Sequence, residues 1–233
     1  YLEYVNYLDL EIGKLISQLK AAGLYEKTII VFTGDNGPAI HRGKCFLYDR
    51  GIATPLIVRV PAAFKPGFQR GAVIDELVAT GLDLAPTFIH WAGGKTPDYM
   101  KGRVFFGPDK QKETEYIFTL RDRHDWEVDR IRSARSRDFK YIRNYFPEKT
   151  YDEIGMNNVF ATRAMRELFK QGKLPPAQAA YFQKKAKEEL YDLKKDPFEL
   201  KNLVDDPALS GTLQEMRAAL DQLELPERGR MRP

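Results

Sequence analysis

"TIIVFTGDNGPAIHRGK" (residues 28–44) sets a short apolar run against a dense polar segment. Its first part, "TIIVF" (28–32), is β-branched and apolar throughout and is bounded by turn residues. That pattern fits a strand buried on both faces, as in a parallel sheet. A second such run, "PLIVRV" (55–60), ends at Pro61. Upstream, Val5, Leu8, Ile12, Leu15, Ile16 and Leu19 repeat at helical spacing within residues 1–22, a stripe suited to facing a core, and Gly23 closes the helix. Helix, strand, polar loop and strand is the order of an α/β fold. In such sheets ligands collect beyond the carboxyl ends of the strands. The acid, amide, histidine, arginine and lysine of 35–44 stand there.

The chain has 233 residues, 43% hydrophobic and 30% charged, with a formal charge of +4. This is long enough for one large domain or two modest ones. No window approaches the ~18 consecutive apolar residues of a membrane span, so none is expected. The mild positive excess falls well short of a nucleic-acid-binding tail, and no nucleic acid partner is expected. One cysteine, Cys45, excludes an internal disulfide and a Cys-based zinc cluster. Tyr1 falls inside a helical pattern with no Met or signal-peptide features, which reads as the carboxy-terminal part of a longer protein.

Downstream, "AVIDELVAT" (72–80) reads as a short strand or connector, and "LDLAPTFIHWAGG" (82–94) as a helix capped by Asp83, with Pro86 in its first turn and Gly93-Gly94 as its stop. Residues 94–112 read as surface loop. Beyond them, "EYIFTL" (115–120), "DRIRSARS" (129–136) and "FKYIRNY" (139–145) alternate as antiparallel strands with one wet face, with a tight turn at 137–138. Residues 157–171 and 176–190 read as helices split by Pro175-Pro176. Residues 188–207 read as an edge strand with turns, and 209–223 as a last helix. The expected division is an α/β domain over 1–112 and a smaller α+β domain with an antiparallel sheet over 113–233.

Asp35 and Asn36 offer a carboxylate and an amide carbonyl, hard oxygen donors of the kind that suit Ca²⁺ or Mg²⁺. Two donors are too few, so further ligands must come from elsewhere. Asp and Asn-Gly are equally common turn formers, and Asn-Gly is a hairpin signal. A loop lysine such as Lys44 is solvated by default.

The longer string "TGDNGPAIHRGKCFLYDRGIATPLIVRVP" resembles the sulfatase family: Asp35-Asn36-Gly37, Gly43-Lys44, Leu47-Tyr48-Asp49-Arg50-Gly51 and Pro55-Leu56-Ile57 follow in family order and spacing. "LDLAPTFIHWAGG", "RSARSRDFKYIRNY" and "EELYDLKKDPFELKNL" extend the likeness over nearly the whole chain. With "RDRHDWEVDRIRSAR" they are similar to the heparan N-sulfatase-like (N-sulfoglucosamine sulfohydrolase) branch.

The resemblance implies the carboxy-terminal part of an alkaline-phosphatase-like α/β/α sheet domain plus the small second domain. It implies a sulfated carbohydrate substrate, a bound Ca²⁺, and a formylglycine made from the Cys or Ser of a C/S-x-P-x-R motif. By this correspondence Asp35 and Asn36 are metal ligands and Lys44 holds a sulfate oxygen, stabilising developing negative charge. His41 and Arg42 then line the pocket, His41 donating to a substrate oxygen or leaving group; a solvated loop histidine is the alternative. No C/S-x-P-x-R string occurs in these residues, and Cys45, followed by Phe46 and Leu47, is read as a small buried thiol. The nucleophile is therefore expected in a missing amino-terminal half, and this chain alone is expected to be inactive. The resemblance also implies a periplasmic, secreted or lysosomal setting.

The segment "LRDRHDWEVDRIR" (120–132) mixes both charge signs, suited to sugar hydroxyls and anionic substituents. Arg121, His124 and Asp125 are its candidates for substrate contacts; a salt-bridged hairpin is the alternative. Two further readings compete with the sulfatase: a phosphodiesterase or phosphonate hydrolase on the same metal cradle, and a non-catalytic polyanion-binding module. The second rests on eight basic side chains between residues 121 and 143, which interleave with five acidic ones.

Overall fold

The computed structural model describes residues 2–64, 69–124, 126–153 and 160–228. In chain order the elements are α1 (Leu2–Ala21), β1 (Ile30–Thr33), α2 (Asp49–Ile52), β2 (Leu56–Arg59), α3 (Thr80–Trp91), β3 (Ile117–His124), β4 (Glu127–Arg135), β5 (Phe139–Asn144), α4 (Phe160–Lys170), α5 (Pro176–Ala179), β6 (Glu188–Asp192) and α6 (Ser210–Arg228). They form two compact units: Tyr1–Gly34, Pro55–Asp75 and Ala79–Lys112 in the first, and Asp35–Thr54, Glu76–Val78 and Glu113–Pro233 in the second.

In the first unit, α1 ends on Gly23 at φ +67°, where the Leu24 amide donates back to the Leu19 carbonyl at 2.9 Å. This is the left-handed close that glycine supplies without strain. The helix forms as its spacing predicts, but none of its described residues is buried. Its apolar stripe has no core against it among the described residues. β1 and β2 pair antiparallel, Ile30 opposite Arg59 and Thr33 opposite Leu56. The parallel arrangement expected from their uniform apolarity is therefore corrected. Apolar composition reports burial, not strand direction, and β1 is only half-buried along its length. Asp83 lies within the first turn of α3 rather than ahead of it. It caps by reaching back to the Ala79 amide at 2.9 Å, and its other oxygen takes the Arg103 amide at 2.9 Å.

The second unit is built on an antiparallel sheet in the order β3-β4-β5-β6, with a tight turn joining β4 to β5. Alternation assigns its faces. Ile131, Ile142 and Tyr191 point to one side, where they meet Phe46, Leu47, Tyr48, Tyr151, Tyr181 and Phe182. Ala134, Tyr141 and Leu190 point to the other, packed under Leu213, Met216 and Leu220 of α6. Burying a side chain the size of Phe46 or Leu47 contributes about 1.5–3 kcal/mol, so the 46–48 stretch ties its loop firmly to the sheet.

The helix expected over 176–190 is a single turn, α5, followed by a 3-10 turn and extended chain into β6. Tertiary pairing overrides local propensity here: Tyr181 and Phe182 enter the core, and Asn144 donates to the Lys187 carbonyl at 2.9 Å as β6 joins β5. The strands expected over 115–145, the edge strand at 188 and the last helix are present.

Candidate active site

The polar loop after β1 is a tightly wound insert between two strands, not a hairpin turn, because β2 begins only at Leu56. The Gly37 amide donates to the Gly51 carbonyl at 2.9 Å, and the Lys44 amide to the Pro38 carbonyl at 2.9 Å. The second bond folds Lys44 back onto the chain just beyond Asp35-Asn36-Gly37. Three glycines permit this closeness. A Cβ on Gly37 would stand 1.9 Å from the Arg50 carbonyl oxygen, one on Gly43 2.1 Å from that of Pro38, and one on Gly51 2.3 Å from that of Gly43.

Lys44 sits between two bends that side-chain-bearing residues rarely adopt, Arg42 at φ +58° and Cys45 at φ +78°. Strain of this kind persists only where the surroundings over-determine it. Arg42 lays its guanidinium 3.6 Å from the Tyr48 ring centroid and donates from Nη2 to the Glu199 carbonyl. The Cys45 carbonyl accepts from Arg121 Nη1 at 2.7 Å. Cys45 is half-buried, and its Sγ lies 3.2 Å from His124 Nε2. Arg121 is buried and also paired with Asp129.

His41 turns toward α4 within the second unit: Nε2 is 2.9 Å from Thr162 Oγ1, and its ring meets Tyr181 edge-on at 5.1 Å. Burial pushes its pKa below the ordinary value, partly offset by Asp152. Asp35, Asn36 and Lys44 remain exposed while their neighbours turn inward. The structure thus carries Asp35, Asn36 and Lys44 on one loop, and engages the flanking residues elsewhere: His41 with Thr162 of α4, Arg42 with the chain beyond β6, and Arg121 and His124 of β3 with Cys45. Asp125 lies outside the described residues.

Beneath the loop is a charged cluster that sequence reading missed. Asp49 accepts both Nε and Nη2 of Arg135 at 3.0 Å and pairs with the fully buried Lys140. Lys140 also stands 3.0 Å from Glu199 Oε1, and Glu199 Oε2 accepts the Asp49 amide at 2.7 Å. Burial pushes the Asp49 carboxyl up, but its bonds to Arg135 and Lys140 prevail and hold it below the ordinary range. Glu199 goes the other way: burial raises its pKa, and Lys140 only partly offsets this. Glu199 lies in the "DPFELKNL" stretch, some 150 residues from its partner Asp49, and no local pattern marks it.

The basic residues of 121–143 are largely committed to partners within the unit. Arg121 pairs with Asp129, Arg132 with Asp122, Arg135 and Lys140 with Asp49, Arg137 with Glu113, and Arg143 with Asp221.

As a metal site the loop supplies the right donors in insufficient number. Asn36 donates its amide nitrogen to the Gly37 carbonyl at 2.7 Å, which leaves the carbonyl oxygen, the donor a hard cation takes. Among the described residues no group of three or more His, Cys, Asp or Glu side chains is placed to hold one ion. Asp35 and Asn36 fit part of a Ca²⁺ coordination sphere and do not complete it.

Residues 1–94 match the family model described as Sulfatase. An ulvan-active sulfatase of Formosa agariphila is 39% identical over 222 residues, covering 94% of this chain and 36% of that protein. Human N-sulphoglucosamine sulphohydrolase is 27% identical, covering 94% of this chain and 45% of its own length. A solved structure described as in complex with its substrate D-glucosamine-2-N,6-O-disulfate superposes with a TM-score of 0.67 at 22% identity, over 96% of this chain and 39% of the other. The chain thus spans about 36–45% of the length of these proteins, matching their carboxy-terminal part.

Proposed function

Because the chain belongs to the sulfatase family, we propose that it is the carboxy-terminal part of an enzyme that hydrolyses sulfate groups on a sulfated glycan. Its share of the active site is the loop carrying Asp35, Asn36 and Lys44. One observation carries this reading: the loop is wound so that these three side chains stay exposed while flanking residues are anchored.

In the reaction, water supplies an oxygen to sulfur, the bond from sulfur to the sugar oxygen or nitrogen breaks, and the leaving group takes a proton. A bound Ca²⁺, held in part by Asp35 and Asn36, would supply Lewis acidity toward the sulfate oxygens. Lys44 binds a sulfate oxygen as a compact positive charge, and its effect grows as negative charge builds in the transition state. His41 and Arg42 orient the loop from behind rather than lining the pocket. Arg121 and His124 brace the bend at Cys45 rather than touching the sugar.

The formylglycine nucleophile and the remaining metal ligands belong to residues outside this chain, so the chain alone is inactive. The identity to an ulvan-active relative favours a polyanionic polysaccharide as substrate, and the human relative makes a sulfamate the alternative linkage. Membership of the family favours a periplasmic, secreted or lysosomal setting for the complete enzyme.

The test is sulfate release by the complete enzyme from ulvan oligosaccharides and from D-glucosamine-2-N,6-O-disulfate, with phosphate and phosphonate monoesters alongside. Sulfate release that falls with Lys44→Ala supports the proposal. Turnover confined to the phosphorus esters contradicts it.

A further inference from the structure

We infer that Glu199, with its buried partner Lys140, is a positioning residue for Lys44, setting the height and direction of the loop that presents the lysine. The inference rests on the reading of Lys44 as the side chain that binds the sulfate oxygen.

Glu199 holds the loop at two points. Its backbone carbonyl accepts Arg42 Nη2 at 2.5 Å, two residues before Lys44. Its carboxylate accepts the Asp49 amide at 2.7 Å, five residues after Lys44. The span between these grips contains both strained bends, at Arg42 and Cys45. Lys140 stands behind both acids, 3.0 Å from Glu199 and paired with Asp49, and Arg135 forks onto Asp49 from the neighbouring strand.

Glu199 is itself at φ +55°, a conformation with a steric cost for a glutamate. It is 1% exposed. A buried carboxylate in a strained backbone, placed so that main chain and side chain each reach one end of a single loop, is arranged as a clamp. A shift of ~1 Å at a reacting group can cost ~100-fold in rate, so a clamp this close to Lys44 acts on turnover as well as on folding.

The experiment is a double-mutant cycle in the complete enzyme, pairing Glu199→Gln with Lys44→Ala and measuring sulfate release from ulvan oligosaccharides. Glu199→Gln keeps the shape and removes the charge. Expected is a loss of ~10- to 100-fold in kcat/KM, carried by kcat, that shrinks below ~3-fold once Lys44 is already alanine. A loss of equal size in both backgrounds, or wild-type kinetics for Glu199→Gln, overturns the inference and leaves the proposed function standing. If Lys44→Ala alone retains full kcat/KM, the assignment of Lys44 falls and the inference falls with it. Should Glu199→Gln fail to fold, Arg135→Lys loosens the same anchor more gently by removing the guanidinium fork from Asp49. The same coupling to Lys44 is then required of it, and simple multiplication of the two losses overturns the inference.

Discussion

Arg42 and Glu199, 157 positions apart in the chain, are joined by a hydrogen bond of 2.5 Å from guanidinium Nη2 to backbone carbonyl. The same guanidinium covers the Tyr48 ring. Arg42→Met keeps an unbranched apolar stem and removes the guanidinium that makes both contacts. It is expected to destabilise the complete protein by about 2 kcal/mol, the scale of a hydrogen bond to a charged donor. Chemical denaturation reads this as a lower midpoint at unchanged slope. An unchanged midpoint means the bond does not hold the loop.

Gly51→Ala tests the winding of the loop. The added methyl meets the carbonyl oxygens of Gly43 and Phe46 at 2.3 Å, both of them backbone atoms with little freedom to yield. Overpacking of this kind costs roughly 1–3 kcal/mol. Limited proteolysis of the variant is expected to cut within residues 35–54 at a protease concentration that spares the wild type. Equal resistance contradicts the close approach.

Charges in this molecule differ greatly in their weight. Lys140 is fully buried between Asp49 and Glu199, so Lys140→Met leaves the buried Glu199 without its cation and Asp49 with Arg135 alone, and is expected to cost about 3–5 kcal/mol. Lys14, paired with Glu11 on the surface of α1, is the comparison: Lys14→Met is expected to cost less than about 0.5 kcal/mol. Denaturation midpoints of the two variants that coincide would remove the buried cluster from the forces holding the loop.

His41 gives the loop a pH dependence. Burial lowers its pKa in the folded state, so between that value and the ordinary value near 6.5 the unfolded chain binds the extra proton. Stability therefore rises with pH through this window and is lost as pH falls through it. Thermal unfolding from about pH 8 down to about pH 5 should show a decline below about 6.5 that is smaller in His41→Gln. Identical profiles contradict the assignment to His41.

Much of the fold was legible because periodicity and punctuation agreed with the tertiary result. The alternating runs of 115–145 became β3, β4 and β5, and Gly23 and Gly93 close their helices at positive φ. The direction of β1 against β2 was not legible, since an apolar run carries no sign of which way its partner runs. The 176–190 segment misled for a different reason: Tyr181 and Phe182 look helical in place but belong to a core assembled from residues 46–48, 131, 142 and 151. At the site, the polar cluster of 35–44 was visible as chemistry. Its division into exposed and anchored side chains was not, because that depends on Thr162, Arg121, Lys140 and Glu199, each about 75 or more positions away. Glu199 sits in a stretch read as an edge strand with turns, and only the folded chain shows that this stretch grips the loop of Lys44.

Calcium content measured on the complete enzyme, before and after Asp35→Ala, puts the metal half of the proposed site to its sharpest test. The proposal requires the variant to lose most of its bound calcium and its sulfate release together, while its fold is kept. A variant that retains calcium and turnover at wild-type levels would show that the loop after β1 is no part of a metal-bearing active site.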